Sequence, residues 1–217
     1  MSSIIEAVQE KKAAAAAIAG RPAVHLMQPK DMARWDAFVA SCPEATFFHR
    51  AGWQTVIERT YGHKTWFYYV EQDGKIVGVL PLAEIKSRMF GHSLGSLPFC
   101  VLGGVAATVD AARPLLDAAA DALARQLGVG HLEMRNLTAQ HAGDPDWHQK
   151  ELYVTFRKEI SADDEANMNA IPRKQRAMVR KGIKLGLAGE IDQDVDRFFI
   201  AYSTSVQGHI VTAIGEV

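Results

Sequence analysis

Arg173, Lys174, Arg176, Arg180, Lys181 and Lys184 follow one another closely between Ile171 and Gly186, and no acid interrupts them. At about 100° per residue, a helix gathers all six on one arc and sets Ile171, Met178, Val179, Ile183 and Leu185 on the opposite arc. One face is then expected to pack while the other collects positive charge. A solvated face would intersperse acids, because like charges four apart, as in Arg176/Arg180 and Arg180/Lys184, repel. The chemistry this suggests is binding of a phosphate group. An ordinary charged surface on an amphipathic helix accounts for the same pattern.

His49 and Arg50 form the second group, in the block Thr46-Phe-Phe-His-Arg-Ala-Gly-Trp53. Two phenylalanines should anchor this segment while the polar pair turns outward. A histidine there can act as a base near neutral pH, and Arg50 can grip a carboxylate or phosphate. These two are the candidate catalytic residues, although a His-Arg pair at a helix start also serves to satisfy backbone groups. Tyr61 and His63 are further substrate-binding candidates, and Trp53 is expected in the core. No Ser-His-Asp or Cys-His signature is present. Amide formation from an activated acyl ester fits such a chain, since it needs an unprotonated amine, an oxyanion donor and positioning, with no obligatory covalent nucleophile.

Two tempting patterns are better read as structure. Arg125-Gln-Leu-Gly128-Val-Gly130 has the spacing of a phosphate-cradling loop, but a helix precedes it and a strand follows, so a glycine helix stop is expected. His141-Ala-Gly-Asp-Pro-Asp-Trp-His148 carries metal-capable side chains, yet Gly143 and Pro145 make it a turn, and no metal site is expected. His131, Glu133 and Arg135 alternate on one strand face, either lining a cleft or lying on an open sheet face.

These groups are positioned by a recognisable series of elements. Asp31 is expected to cap a helix with Met32, Trp35, Phe38 and Val39 inward, stopped at Ser41-Cys-Pro43. A second helix has Trp53, Val56 and Ile57 inward and ends at Tyr61-Gly62. A hairpin follows, Thr65 to Gln72 and Lys75 to Leu82 around Asp73-Gly74, with Pro81 placing it at an edge or near the end of the pairing. Short extended pieces are expected at Glu84 to Met89 and Ser93 to Phe99, a helix from Ala111 to Gln126 closed by Gly128, and strands at His131 to Arg135 and Leu152 to Phe156. Ser161 with Asp164 resembles a helix start, Pro172 suits the first turn of the basic helix, and Asp194 to Ser205 reads as another helix. The order gives a mixed α/β domain.

Composition sets limits. The 217 residues are 48 % apolar and 23 % charged, enough for a real core. A net charge of −1 and a pI near 6.7 argue against a general nucleic-acid-coating protein, DNA included, so any polyanion is expected to meet a patch. Cys42 and Cys100 lie far apart without CxxC spacing, so neither a disulfide framework nor a zinc site is expected. The first residues make a poor secretory signal and no apolar run is long enough to cross a bilayer. Cytoplasmic residence follows as the expectation, with 1–22 as a helical extension.

Trp35-Asp-Ala-Phe38, Ala45-Thr-Phe-Phe-His-Arg-Ala-Gly-Trp53, Tyr61-Gly62-His63, Gly78-Val-Leu-Pro-Leu82 and Lys174-x-Arg176-x-x-Val179-Arg180-Lys181-x-x-Lys184-x-Gly186 together resemble the FemAB family of N-acyltransferases. The likeness is nearest to the FemAB-related proteins of exosortase and exopolysaccharide systems, and covers about Ala23 to Ser205. It implies an acyl-CoA N-acyltransferase (GNAT)-like mixed sheet flanked by helices over 23–160. It further implies basic linker helices and the start of a second GNAT-like domain over 161–217. Acyl or aminoacyl transfer to an amine of a cell-envelope or exopolysaccharide precursor is the implied activity. Aminoacyl-tRNA or acyl-CoA would be co-substrate, no cofactor would be permanently bound, and the basic helix would hold a phosphate of a small-molecule substrate or of tRNA. The tail from Val206 to Val217 departs from the family pattern, so the second domain is expected to be incomplete. Its helix at Asp194 to Ser205, with Phe198, Phe199, Ile200 and Tyr202 uncovered, is then a candidate for self-association. A non-catalytic anion-binding module and an ordinary acetyl-CoA-dependent N-acetyltransferase are the competing readings.

Overall fold

The structure is a computed structural model that describes residues 20–89, 91–150, 154–189 and 191–214, with side chains as far as Val206. The chain divides into two compact units, Met1–Gln149 and Lys150–Val217. The expected helical extension lies outside the described residues, apart from Gly20 to Pro22 ahead of the first strand.

The N-terminal unit is a mixed α/β sheet flanked by helices. Its elements are β1 (Ala23–Leu26), α1 (Met32–Ser41), α2 (Gly52–Tyr61), β2 (Thr65–Gln72), β3 (Lys75–Ser87), β4 (Gly91–Ser96), β5 (Ala106–Ala107), α3 (Ala112–Leu127) and β6 (His131–Glu133). The sheet order is β1-β2-β3-β4-β6, with β5 also pairing β3. All pairs are antiparallel except β4 with β6. That parallel pair requires a crossover, and α3 supplies it. Amphipathic α3 buries Ala112, Leu116, Ala120 and Leu123 against Val70, Leu80, Leu82 and Leu94 on one face of the sheet. The other face packs Phe67, Tyr69 and Val79 against Trp35, Phe38 and Val39 of α1. Gly78 is required where α3 crosses β3, because a Cβ there would come 2.9 Å from that of Ala112.

The hairpin turns at Asp73-Gly74, whose φ of 50° and 72° suit the right-handed strand twist. Its second strand, however, runs on to Ser87 and becomes the centre of the sheet, so Pro81 lies inside it, opposite Phe67. Pro81 is tolerated because of where its nitrogen points. The Phe67 carbonyl accepts from Met27 on the β1 side, so Phe67 and Pro81 exchange no hydrogen bonds with each other. On the opposite edge, β5 pairs only at Gly78 and Val79 and β4 begins at Leu82. The missing N–H therefore faces a gap in the ladder.

Other boundaries are corrected by hydrogen bonding. The Asp31 carboxylate accepts from the Gln28 N–H at 3.0 Å, holding the 3-10 turn Pro29–Asp31 rather than capping α1. Val56 of α2 is 42 % exposed while Ile57 is fully buried. Short β1 and β5 have no counterpart in the sequence pattern. Residues 152–153 of the last expected strand lie outside the described residues, and Val154 to Phe156 form no regular element.

The C-terminal unit has three helices among its described residues: α4 (Asp164–Asn169), α5 (Arg173–Lys184) and α6 (Val195–Ile214). Asp163 rather than Ser161 caps α4, its carboxylate accepting from the Glu165 N–H at 2.9 Å. Asp194 caps α6, which runs past Ser205 through the divergent tail to Ile214. Among the described residues no helix is long and apolar enough to cross a membrane.

Replacing Ile57 with alanine is expected to cost about 2–5 kcal/mol in urea unfolding. Val56→Ala, one residue along but facing water, should stay within about 0.5 kcal/mol.

Candidate functional site

The site grows from a loop that the rest of the N-terminal unit holds rigid. Residues 97–104 leave β4, and both Leu97 and Phe99 adopt left-handed backbone, with φ of 52° and 70°. Such conformations persist only where the surroundings over-determine them. Leu97 is fully buried, which drives Phe99 the other way, to 54 % exposure. Arg135 clamps the loop: its carbonyl accepts from Gly103 and Gly104 at 3.1 and 2.9 Å, and its guanidinium donates to the Cys100 carbonyl. Its own N–H donates to Ser96 Oγ at 2.6 Å. No side chain fits at either glycine, since a Cβ on Gly103 would lie 2.7 Å from Leu97 Cβ and one on Gly104 2.0 Å from Asn136 Oδ1.

The second clamp is His49. The sequence pattern turns it outward, but it is buried, and both ring nitrogens are committed to backbone. The Thr46 N–H, which can only donate, meets Nδ1 at 3.0 Å. The proton therefore sits on Nε2 and is donated to the Gly104 carbonyl at 2.9 Å. No lone pair remains for a substrate proton. Burial lowers the His49 pKa from 6.5, with only partial opposition from the bond to the Gly104 carbonyl. Helix α1 fixes the segment: Trp35 Nε1 donates to the His49 carbonyl at 2.6 Å, and Asp36 Oδ1 accepts from the Ala51 N–H at 2.8 Å. Arg50 does face outward, with Nε 4.0 Å from Asp36.

Held in this way, Phe99 stacks on Tyr61 with centroids 4.3 Å apart and rings 20° from parallel. His63 joins them, 5.9 Å from Phe99 and 13° from parallel. The structure thus brings Tyr61 and His63 together through a residue that sequence reasoning missed. The signal was present in Leu97-Pro98-Phe99, where a proline between two large apolar residues follows a strand.

Beyond the part covered by α1, the sheet face opposite α3 continues through β3, β4 and β6. Ala83, Gly95 and Glu133 stand abreast, and Ile85, Ser93 and His131 form the next row. Pro98 lies over Gly95, 3.9 Å from where its Cβ would be. Glu133 and Arg135 form an ion pair at 3.3 Å. Chemically the arrangement offers an aromatic stack and a carboxylate–guanidinium pair joined through the loop at Cys100, without an activated nucleophile. Cys100 is buried and its thiol is pushed up to about 11 by desolvation, and Cys42 is buried too. Among the described residues no group of three His, Cys, Asp or Glu could hold a metal.

The Arg125 to Gly130 segment offers no phosphate cradle. The N–H groups of Gly128 and Val129 close α3 on the carbonyls of Arg125 and Ala124, and that of Gly130 bonds the His92 carbonyl at 2.8 Å. In the C-terminal unit, Arg176 folds back on the carbonyls of Ile171 and Asn169 at 3.0 and 2.9 Å, joining α4 to α5. Arg173, Lys174, Arg180, Lys181 and Lys184 are exposed, with no carboxylate within ion-pair distance among the described residues. Among the described residues the apolar arc is only partly packed: Ile171 is half-buried and Val179 is 39 % exposed, while Met178, Ile183 and Leu185 are about two-thirds exposed.

No family model matches the chain, and no curated protein matches it significantly. Solved structures with a similar arrangement include a GNAT family acetyltransferase of Staphylococcus aureus. It is 9 % identical, with 64 % of this chain and 98 % of that one covered at a TM-score of 0.41. A ribosomal-protein-alanine N-acetyltransferase of Brucella melitensis is 11 % identical over 65 % and 100 % of the two chains, with a TM-score of 0.40. An aminoglycoside 6'-N-acetyltransferase of Acinetobacter haemolyticus is 13 % identical over 64 % and 99 %, at 0.39. At these values the likeness assigns no function.

A buried neutral histidine leaves the unfolded chain binding more protons, so its contribution to stability is lost as pH falls through 6.5. Urea midpoints should therefore drop between pH 7.5 and 5, and the His49→Gln variant should show a flatter pH dependence whatever its absolute stability.

Proposed function

We propose that this protein is an N-acyltransferase of the FemAB type, moving an acyl or aminoacyl group onto an amine of a cell-envelope or exopolysaccharide precursor. The observation that carries the reading is the stack of Tyr61, His63 and Phe99 together with the Glu133–Arg135 pair, which the Arg135 guanidinium joins to the Phe99 loop through the Cys100 carbonyl. Acyl transfer to an amine needs two substrates held side by side and a group to receive the ammonium proton. The platform holds one substrate and the Glu133 carboxylate receives the proton. His49 is a positioning residue that fixes the loop through Gly104, and Arg50 grips a carboxylate or phosphate from solvent. The five exposed cations of α5, without an ion pair among the described residues, bind the phosphate of a nucleotide-linked substrate or of tRNA. Aminoacyl-tRNA or acyl-CoA is the donor. The committed amides of Gly128 to Gly130 argue against coenzyme A being held at that turn.

A second reading, a non-catalytic anion-binding module, is favoured by the same cations, which need no catalytic centre to hold a phosphate.

Purified protein with aminoacyl-tRNA or acyl-CoA and an amine acceptor should yield an amide detectable by mass spectrometry. Glu133→Gln should lower the rate about 100-fold or more. Product that forms equally well in Glu133→Gln and Phe99→Ala would remove the platform from the reaction. Binding of tRNA without product would leave the anion-binding module. Arg173→Ala with Arg180→Ala should weaken that binding without moving thermal unfolding.

A further inference from the structure

An anion-binding helix needs only one face. Helix α5 has two, and among the described residues both are largely exposed, with Ile171 half-buried and Val179 at 39 % the most covered members of the apolar arc. The cationic arc of Arg173, Lys174, Arg180, Lys181 and Lys184 has no acid partner among the described residues, and the opposite arc exposes Met178 at 67 %, Ile183 at 64 % and Leu185 at 67 %. Its C-terminus is well closed: Gly186 takes a φ of 72°, its N–H bonds the Ile183 carbonyl, and the Leu187 N–H bonds that of Gly182. At the other end Arg176 ties the helix to the carbonyls of Asn169 and Ile171, where α4 ends. A helix so defined at both ends, yet with its apolar side largely uncovered, is built to present that side to something.

We propose that α5 lies in the plane of an anionic bilayer surface, its cations among the lipid phosphates and Met178, Ile183 and Leu185 in the acyl boundary. This rests on the anion-binding reading of α5 and names the source of the phosphate. A free phosphate or an RNA would satisfy the cations and leave the apolar arc in water. A membrane surface satisfies both, because its negative headgroups and its hydrocarbon meet within the width of one helix. The chain needs no spanning segment for this, and a transferase so docked would meet acceptors carried on lipid.

The full chain is tested by co-sedimentation with vesicles of phosphatidylglycerol and phosphatidylcholine, against vesicles of phosphatidylcholine alone. Binding should require the anionic lipid. At about fivefold per cation, Arg180→Ala with Lys184→Ala should lower partitioning roughly twentyfold. Met178→Ser with Ile183→Ser should also lower it about tenfold or more while leaving tRNA binding and far-ultraviolet helix content unchanged. Vesicle binding that survives the apolar variant intact would overturn in-plane docking. No vesicle binding, together with cation-dependent binding of tRNA or inorganic phosphate, would overturn the lipid source but keep the anion site. Loss of both would remove both.

Discussion

The imidazole of His49 bridges two stretches of backbone that are distant in sequence, and the candidate site depends on that bridge. On one side it is held by Thr46 and, through its carbonyl, by Trp35 of α1; on the other its Nε2–H fixes Gly104. Beside it, the loop 97–104 is held by the Arg135 clamp and by the burial of Leu97 and Cys100, which together hold two non-glycine residues in left-handed backbone at about 1–3 kcal/mol each. The bridge works because burial keeps the ring neutral and its tautomer is dictated by a donor that cannot change role.

The loop in turn converts fold into surface. Burying Leu97 projects Phe99, and Phe99 joins Tyr61 from the end of α2 to His63 just ahead of β2. Arg135 participates twice, gripping the loop with its backbone and guanidinium and holding the Glu133 carboxylate with the same side chain. Positioning and charge are thereby coupled, so a change at Arg135 would disturb platform and carboxylate together. The C-terminal unit, in its described residues, is organised by caps and local turns, with Met168, Ile171 and Arg176 half-buried and most other side chains exposed.

The pieces governed by local chemistry were legible in the sequence. Asp73-Gly74 turns the hairpin, Gly62 and Gly128 stop α2 and α3 in left-handed backbone, and Gly186 stops the basic helix. Pro81 misled because its cost depends on which edge its nitrogen faces, and that edge is set by the neighbouring strands β4 and β5. Residue type alone cannot distinguish a proline in a gap of the ladder from one at a strand end. The same holds for Val56 and Ile57, adjacent and chemically alike, of which only one meets the core.

The sequence by itself determined the alternation of helices and strands and the segregation of charge along α5, because these follow from side-chain type, periodicity and turn conformation within a few residues. Only the tertiary structure decided that His49 is a strut and that Phe99 completes a stack with Tyr61 and His63. Each of those outcomes is set by a partner elsewhere in the fold: a carbonyl at Gly104 and a ring at the end of α2. A hydrogen bond or a ring stack needs atoms within a few ångströms, and that proximity is created by packing rather than by order along the chain.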